Sequence, residues 1–313
     1  MKKIAITGTQ YYWGNKALTT IKEKGDIESI ISLDINPPKQ KDVKHIKLTF
    51  KKPFHTEWVK SLEKISPDIL IMCPFGPDHC YQENLDNHIN WSQNSLRIFL
   101  KAVELEIPKI IVLSSNLVYG PRYHNPAFLT EDSLLLGDRN FQRIRSFIEL
   151  EEACLAALSS KLNRSSIIIL RSATALGKTI DNFMTRFCKL PIIPLIMGFD
   201  PVLQFIHEDD VVLAIIKAIE SKAKGPINIA GRGFISCKEF FDILEKPTIP
   251  IFHSIANYIS KRLWRWNLTE FSPALMSILR FRMVVDTKKS EEELNFIPKN
   301  SMQTTILEFK ETL

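Results

Sequence analysis

The chain opens on an apolar strand that runs straight into a tight turn held by two glycines. Lys3-Ile4-Ala5-Ile6-Thr7-Gly8 is followed by Thr9-Gln10-Tyr11-Tyr12-Trp13-Gly14, with a helix expected from Gly14. In a βαβ unit such a turn aims backbone N–H groups and a helix N-terminus at a pyrophosphate. A full dinucleotide fingerprint has a third, middle glycine; here that slot holds Tyr11. The next strand, 28–34, ends in an acid 20 residues beyond Gly14. A carboxylate there accepts from both ribose hydroxyls and repels a 2′-phosphate, so Asp34 favours NAD over NADP. Lys39, Lys41 and Lys44 follow closely and work against that preference. The cofactor-contacting set read from this turn and the strand ends beside it is Gly8, Gln10, Tyr11, Tyr12, Trp13, Gly14, Asp34, Pro74 and Ser114.

Strands and helices alternate through the first two-thirds of the chain, which predicts an α/β fold: a doubly wound parallel sheet with helices on both faces. A third strand is expected at 46–49, a helix near 57–65 and a fourth strand at 68–72. A long helix at about 83–105, a fifth strand at 109–115, a helix at about 140–161 and a sixth strand at 166–171 follow. Cys73-Pro74-Phe75-Gly76 falls at the C-terminal end of the fourth strand, where such sheets place their ligands. In the 140–161 helix, Ile144, Phe147, Ile148, Leu150, Cys154, Leu155 and Leu158 fall roughly on one face. From about 178 the alternation lapses, and a smaller lobe is expected over the sheet edge.

Composition narrows the function. With 313 residues, 45% of them hydrophobic, the chain can bury one large or two modest cores. The net charge of +6 is scattered except around 39–52 and 261–265. It forms no long basic run with interleaved aromatics, so no nucleic-acid partner is expected. Five cysteines without a C-x-x-C pair suggest a reduced compartment and no structural zinc. The seven histidines, His55, His79 and His88 among them, show no ligand spacing. His207-Glu208-Asp209-Asp210 invites a metal reading, but the plainer one ends a buried strand at His207 and caps a helix with Asp209 and Asp210. No metal is expected. Met1-Lys2-Lys3 looks like a signal n-region, but the apolar run stops at Thr7. No apolar run approaches the roughly 18 residues of a spanning helix. These features predict a soluble, cytoplasmic protein.

Four further segments, with the opening turn, carry a resemblance. Leu113-Ser114-Ser115-Asn116-Leu117-Val118-Tyr119-Gly120, Leu170-Arg171 with Gly177, Gln204-Phe205-Ile206-His207-Glu208-Asp209-Asp210, and Asp286-Thr287-Lys288-Lys289-Ser290 with Leu294 to Pro298 stand in order behind Thr7-Gly8…Gly14. Together they resemble the extended short-chain dehydrogenase/reductase superfamily, the NAD-dependent nucleotide-sugar epimerases and dehydratases. Phe199-Asp200-Pro201, Asn228-Ile229-Ala230-Gly231, Thr248-Ile249-Pro250 and Phe271-Ser272-Pro273 are similar to a bacterial UDP-glucose 4-epimerase-like subgroup with an incomplete active site. The resemblance implies a Rossmann domain over 1–177 and a C-terminal substrate-binding lobe over 178–313, with a segment near 200–230 returning to the sheet.

The resemblance also implies a chemistry. A Tyr phenolate exchanges the hydroxyl proton while a hydride moves to the nicotinamide. A Lys four residues on lowers the Tyr pKa, and a Glu often stands four further. A Ser at the end of the fifth strand holds the reacting oxygen. Ser115 matches that Ser. Aligning the following helix puts Phe141 at the Tyr position, Arg145 at the Lys position and Glu149 at the Glu position. A phenyl ring exchanges no proton, and positioned acid–base catalysis is worth roughly 10²–10⁴ in rate, or about 3–5 kcal/mol of barrier. Tyr119, Tyr123 and His124 are the substitute bases to weigh against structural or solvated roles. On the substrate side, Thr174 replaces an Asn and Leu203 an Arg of the 4-epimerases, while Asn182-Phe183-Met184 resembles a nucleotide-contacting turn. Arg171, Arg186, Arg280 and Arg282 could face a diphosphate by charge. The candidate substrate contacts are Asn182, Thr174 and Arg282.

Two functions follow as expectations. One is an enzyme transferring hydride on a nucleotide-sugar or other polar small molecule, with Ser115 and Arg145 in its site. The other is an NAD(H)-binding scaffold or regulatory protein. The segment 252–266 places Phe252, Ile255, Ala256, Ile259, Leu263 and Trp266 on one stripe among basic residues. That pattern suits a peripheral membrane contact or, more simply, a lobe helix packed on the core. A homodimer through the helices near 83–105 and 140–161 is implied by the resemblance alone.

Overall fold

The computed structural model describes residues 2–25, 27–48, 57–75, 85–266, 268, 269, 271 and 273–313. Expectations resting on Thr49, His55, Gly76, His79, Cys80, Glu83 and Ser272 lie outside the described residues. The first half alternates as β1 (Lys2–Thr7), α1 (Tyr12–Glu23), β2 (Ile27–Asp34), β3 (Lys44–Lys47), α2 (Glu57–Ile65), β4 (Ile69–Met72), α3 (Leu85–Glu104), β5 (Lys109–Ser115) and α4 (Gln142–Ser159). Then come β6 (Ser166–Ser172), β7 (Thr174–Leu176), α5 (Phe183–Cys188), β8 (Ile193–Ile196), β9 (Val202–Leu203) and β10 (Phe205–His207). The chain closes with α6 (Glu208–Glu220), β11 (Gly225–Ile229), β12 (Ile235–Ser236), α7 (Cys237–Ile243), β13 (Thr248–Ile251), α8 (His253–Arg265), α9 (Lys288–Leu294) and α10 (Met302–Lys310).

Seven strands form one sheet in the order β11-β6-β5-β4-β1-β2-β3, and every pairing in it is parallel. The order reverses beside β1, so the crevice at the C-terminal ends of β1 and β4 is the place for a ligand. Alternation along each strand feeds two core layers. Ile4, Ile6, Ile71, Ile111 and Leu170 join α1 and α6 on one face. Ala5, Leu33, Leu70, Ile110 and Ile169 join α2, α3 and part of α4 on the other. Outside the large sheet, β7 pairs with β10, β9 with β12, and β8 with β13.

The opening turn is tighter than its sequence suggests. Gly8 adopts φ +65°, and a Cβ there would sit 2.7 Å from the Pro74 carbonyl oxygen. The Tyr11 N–H closes back on the Gly8 carbonyl at 2.9 Å. The helix therefore begins at Tyr12, two residues before the expected Gly14. Gly14 lies inside its first turn, pressed on the strand end, where a Cβ would run into the Gly8 carbonyl.

The caps of α6 also differ from expectation. The His207 ring, not an aspartate, accepts from the Asp209 N–H. Asp210 instead accepts from the Lys299 and Asn300 N–H groups at 2.9 and 3.0 Å, tying α6 to the C-terminal segment. On the outer faces of α3 and α4, Leu100 is the one large apolar side chain exposed among the described residues. Among the described residues no helix is long and apolar enough to cross a membrane, and no cluster of three His, Cys, Asp or Glu side chains could hold a metal ion.

The contact at the opening turn gives a direct test. Gly14→Ala is expected to lower stability by about 3 kcal/mol through overpacking against backbone that cannot retreat, read from the midpoint of urea unfolding at unchanged m.

Candidate functional site

Two adjoining cavities open at the C-terminal ends of β1, β4 and β5, and share Pro74, Leu113, Arg143 and Phe147. The first continues past Trp13, Ser114, Ser115, Phe141 and Ile144 to Ser172–Ala175, Asn182 and Phe183. The second runs under α4 along Cys73, Phe75, Ser146 and Leu150. Among the described lining residues Arg143 is the one charged side chain, and it lines both.

The backbone around this cleft is electropositive for a local reason. α1 and α4 both point N-termini toward it, with Tyr11 and Phe141 at their N-cap positions. Neither helix has a side-chain cap or an acid in its first turn. Uncapped N–H groups and the helix dipole together suit a phosphate or another anion. Of the Gly8–Gly14 turn, Trp13 lines the first cavity, while Gln10, Tyr11 and Tyr12 line a separate surface pocket. Tyr11, at the missing-glycine position, is half-buried against the same core layer as Ile35.

Asp34 sits where the sequence places it but is shut in. It is fully buried, accepting from the Gln10 N–H at 3.2 Å, the Ile35 N–H at 2.7 Å and the Thr9 hydroxyl at 3.4 Å. Burial pushes its carboxyl above the usual range. The Gln10 side chain spans the turn by donating to the Pro37 carbonyl and accepting from Asn36.

Arg145 and Glu149 do not meet the cleft. Arg145 donates to Gln142 and pairs with Glu149 at 3.9 Å, both side chains part-exposed. The acid that α4 turns inward is Glu151, fully buried and paired with Arg171 at 2.8 Å. Glu151 also accepts from the Ser114 hydroxyl. Burial drives the Glu151 carboxyl upward against the pull of Arg171. Arg171 further donates to the Tyr119 hydroxyl and the Glu131 carbonyl, each at 2.8 Å, and Tyr119 donates to Asn228 at 2.7 Å. Counting back four and eight residues from Glu151 reaches Phe147 and Arg143, both on the cleft side. Sequence reasoning missed this pair. The signal was there: on a helical wheel Glu151 falls in line with Ile144, Phe147, Ile148, Cys154 and Leu155, and Glu149 falls opposite.

The other expected residues divide. Ser115 lines the first cavity, and its hydroxyl oxygen accepts from the Leu117 N–H at 3.2 Å, which leaves its proton to donate. Phe141 lines the same cavity and meets Trp264 edge-on, ring centres 6.4 Å apart. Thr174 and Asn182 line it too, but Asn182 caps α5 and donates to the Ala175 carbonyl. Arg282 donates to the Asn125 carbonyl at 3.4 Å and lines neither cavity. Arg186 is held by Asp181 and Arg280 by His253. Tyr12 bonds to Glu208 and Thr179, and burial beside Glu208 raises its phenol. Burial pushes Tyr119 up to about 12. Tyr123 is 83% exposed, edge-on to His124 in a surface loop. Neither lines the cavities.

The model of the NAD dependent epimerase/dehydratase family matches residues 4–230, and the chain belongs to that family. The curated relatives include an uncharacterized protein, Rv0501 of Mycobacterium tuberculosis, 27% identical over 195 residues. The match covers 62% of this chain and 51% of that protein, so the chain spans about half the length of the relatives it matches. Among solved structures, MoeE5 in complex with UDP-glucuronic acid and NAD superposes with a TM-score of 0.72 at 16% identity, covering 99% of this chain and 98% of that one. UDP-glucose 4-epimerase of Thermotoga maritima with UDP-glucose gives a TM-score of 0.69 at 14% identity, covering 99% and 98%. The fold is the Rossmann fold of the extended short-chain dehydrogenases/reductases.

The buried network yields two expectations. Arg171→Met strands the Glu151 charge and is expected to cost about 3–5 kcal/mol, most of it recovered when Glu151→Leu is added. Equilibrium unfolding of the two single variants and the double variant checks this. Tyr119 ionises near 10 when unfolded and only at about 12 when folded. The unfolded state thus releases its proton first, and stability falls as pH rises from 10 toward 12, by roughly 2–3 kcal/mol in all. Tyr119→Phe is expected to flatten that slope in unfolding experiments across this range.

Proposed function

We propose that the protein binds NAD(H) in this cleft, with a nucleotide-linked sugar or a similar polar small molecule as second ligand, and does not pass protons through a Tyr–Lys pair. One observation carries this reading: the described cavity lining holds a single guanidinium and no carboxylate, imidazole, amine or phenol. The two uncapped helix N-termini support an anionic dinucleotide. MoeE5 with NAD and a UDP-sugar, at the same fold, supports the ligand class. Asp34 supports NAD over NADP.

In this reading Glu151 is the family's helix glutamate, Phe147 stands at the lysine position and Arg143 at the tyrosine position. Bound NAD(H) would supply or accept the hydride. Arg143 holds and orients a ligand oxygen but is not a proton shuttle near neutral pH. Phe147 provides an apolar wall in place of the ammonium that would lower a phenol's pKa. Ser115 donates its hydroxyl proton to the same oxygen. A second reading, slow turnover on the same ligand class, is favoured by Ser115 and Arg143 lining one cavity, since both can steady a developing oxyanion.

The test is calorimetric titration of cofactor-stripped protein with NAD, NADH, NADP and NADPH. The two unphosphorylated forms are expected to bind roughly tenfold tighter or better, and Asp34→Ala to remove that margin. No binding of any of the four would overturn the reading. Incubation of the NAD complex with UDP-sugars is expected to produce little NADH fluorescence. Arg143→Tyr with Phe147→Lys is expected to raise the rate by roughly 10²-fold or more.

A further inference from the structure

We propose that α8 is a docking surface for an anionic lipid bilayer. A helix that merely covers a core turns its large apolar side chains inward; α8 turns Leu263 and Trp264 inward but leaves more of its large apolar side chains outside. Its inner face carries His253, which accepts from Arg280 at 2.6 Å, with buried Ala256, half-buried Leu263 and Trp264 against Phe141. Its outer face exposes Phe252 at 59%, Ile255 at 48%, Tyr258 at 63%, Ile259 at 46% and Trp266 at 57%. The apolar surface continues onto the adjoining β-ribbon, where Met197 donates its N–H to the Ile251 carbonyl and is itself exposed.

Charge selects the occupant. Between Thr248 and Thr269 the sequence holds Lys261, Arg262 and Arg265 and no acid. None of the three cations pairs with a carboxylate among the described residues. Arg262 lies over the Trp266 ring at 4.8 Å and near the Tyr258 ring at 5.8 Å. An apolar stripe edged by aromatic rings and unpaired cations matches the layers of a bilayer surface: acyl boundary, headgroups and anionic phosphates. A second copy of the chain is the poorer fit. A two-fold contact through this face would bring like charges together. The inference stands whether or not the cleft binds a dinucleotide.

The test is cosedimentation of the full chain with phosphatidylcholine vesicles, with and without phosphatidylglycerol. Binding to the phosphatidylglycerol vesicles, weakened by salt, is the expected result. Ile255→Ser with Ile259→Ser is expected to reduce partition roughly tenfold or more at an unchanged thermal midpoint. Lys261→Gln with Arg265→Gln is expected to reduce it on the anionic vesicles alone and to flatten the salt dependence. Absence of binding to anionic vesicles would overturn the proposal. So would wild-type binding by the isoleucine variant, or a lipid-free dimer in ultracentrifugation that the isoleucine substitutions dissolve.

Discussion

The buried Arg171–Glu151 pair sets the geometry of the cleft. Two charges this deep cost several kcal/mol each to desolvate and are tolerated only when every partner is supplied. Here the partners are supplied from four places. Ser114 comes from β5, Tyr119 follows that strand, the Glu131 carbonyl comes from the next loop, and Asn228 on β11 holds Tyr119. The network ties the centre of the sheet to its edge strand. It also fixes how α4 is rotated about its axis. Once Glu151 points inward, Phe147 and Arg143 follow it to the cleft side, and Arg145 and Glu149 are carried to the solvent side.

That rotation decides the chemistry on offer. The helix ends and Arg143 border the cleft, where N–H groups without side-chain caps suit an anion. The walls are mainly apolar and hydroxylic, with no carboxylate, imidazole, amine or phenol among the described lining residues. The phenols nearby serve structure. Tyr12 locks the first turn of α1 to Glu208 and Thr179, and Tyr119 is a link in the Arg171 network.

Much of the fold was legible because period-two apolar runs and short glycine-held turns are local signals. Residues such as Ile4, Ile6, Ile69, Ile71, Ile111 and Leu113 declare their strands without tertiary help. The helix start at Tyr12 was not legible, because it depends on how close Gly8 brings the chain to Pro74. The position of Arg143 was legible in principle and lost to chemical likeness. Phe141 was aligned by chemical likeness, whereas the inward face of α4 is set by the buried acid that pairs with Arg171, and only helical periodicity picks Glu151 from its neighbours. Asp210 reaching the N–H groups of Lys299 and Asn300 joins residues about 90 apart. No local pattern encodes such contacts.

The most direct measurement compares NADH affinity in Arg143→Ala and Arg145→Ala by calorimetry. The two arginines are two residues apart on one helix, and by this account only Arg143 faces the cleft. Arg143→Ala should weaken binding roughly tenfold, the loss of a hydrogen bond to a charged group, while Arg145→Ala stays close to the parent. The opposite ranking, with Arg145→Ala weakened and Arg143→Ala unchanged, would contradict the rotation of α4 and the account built on it.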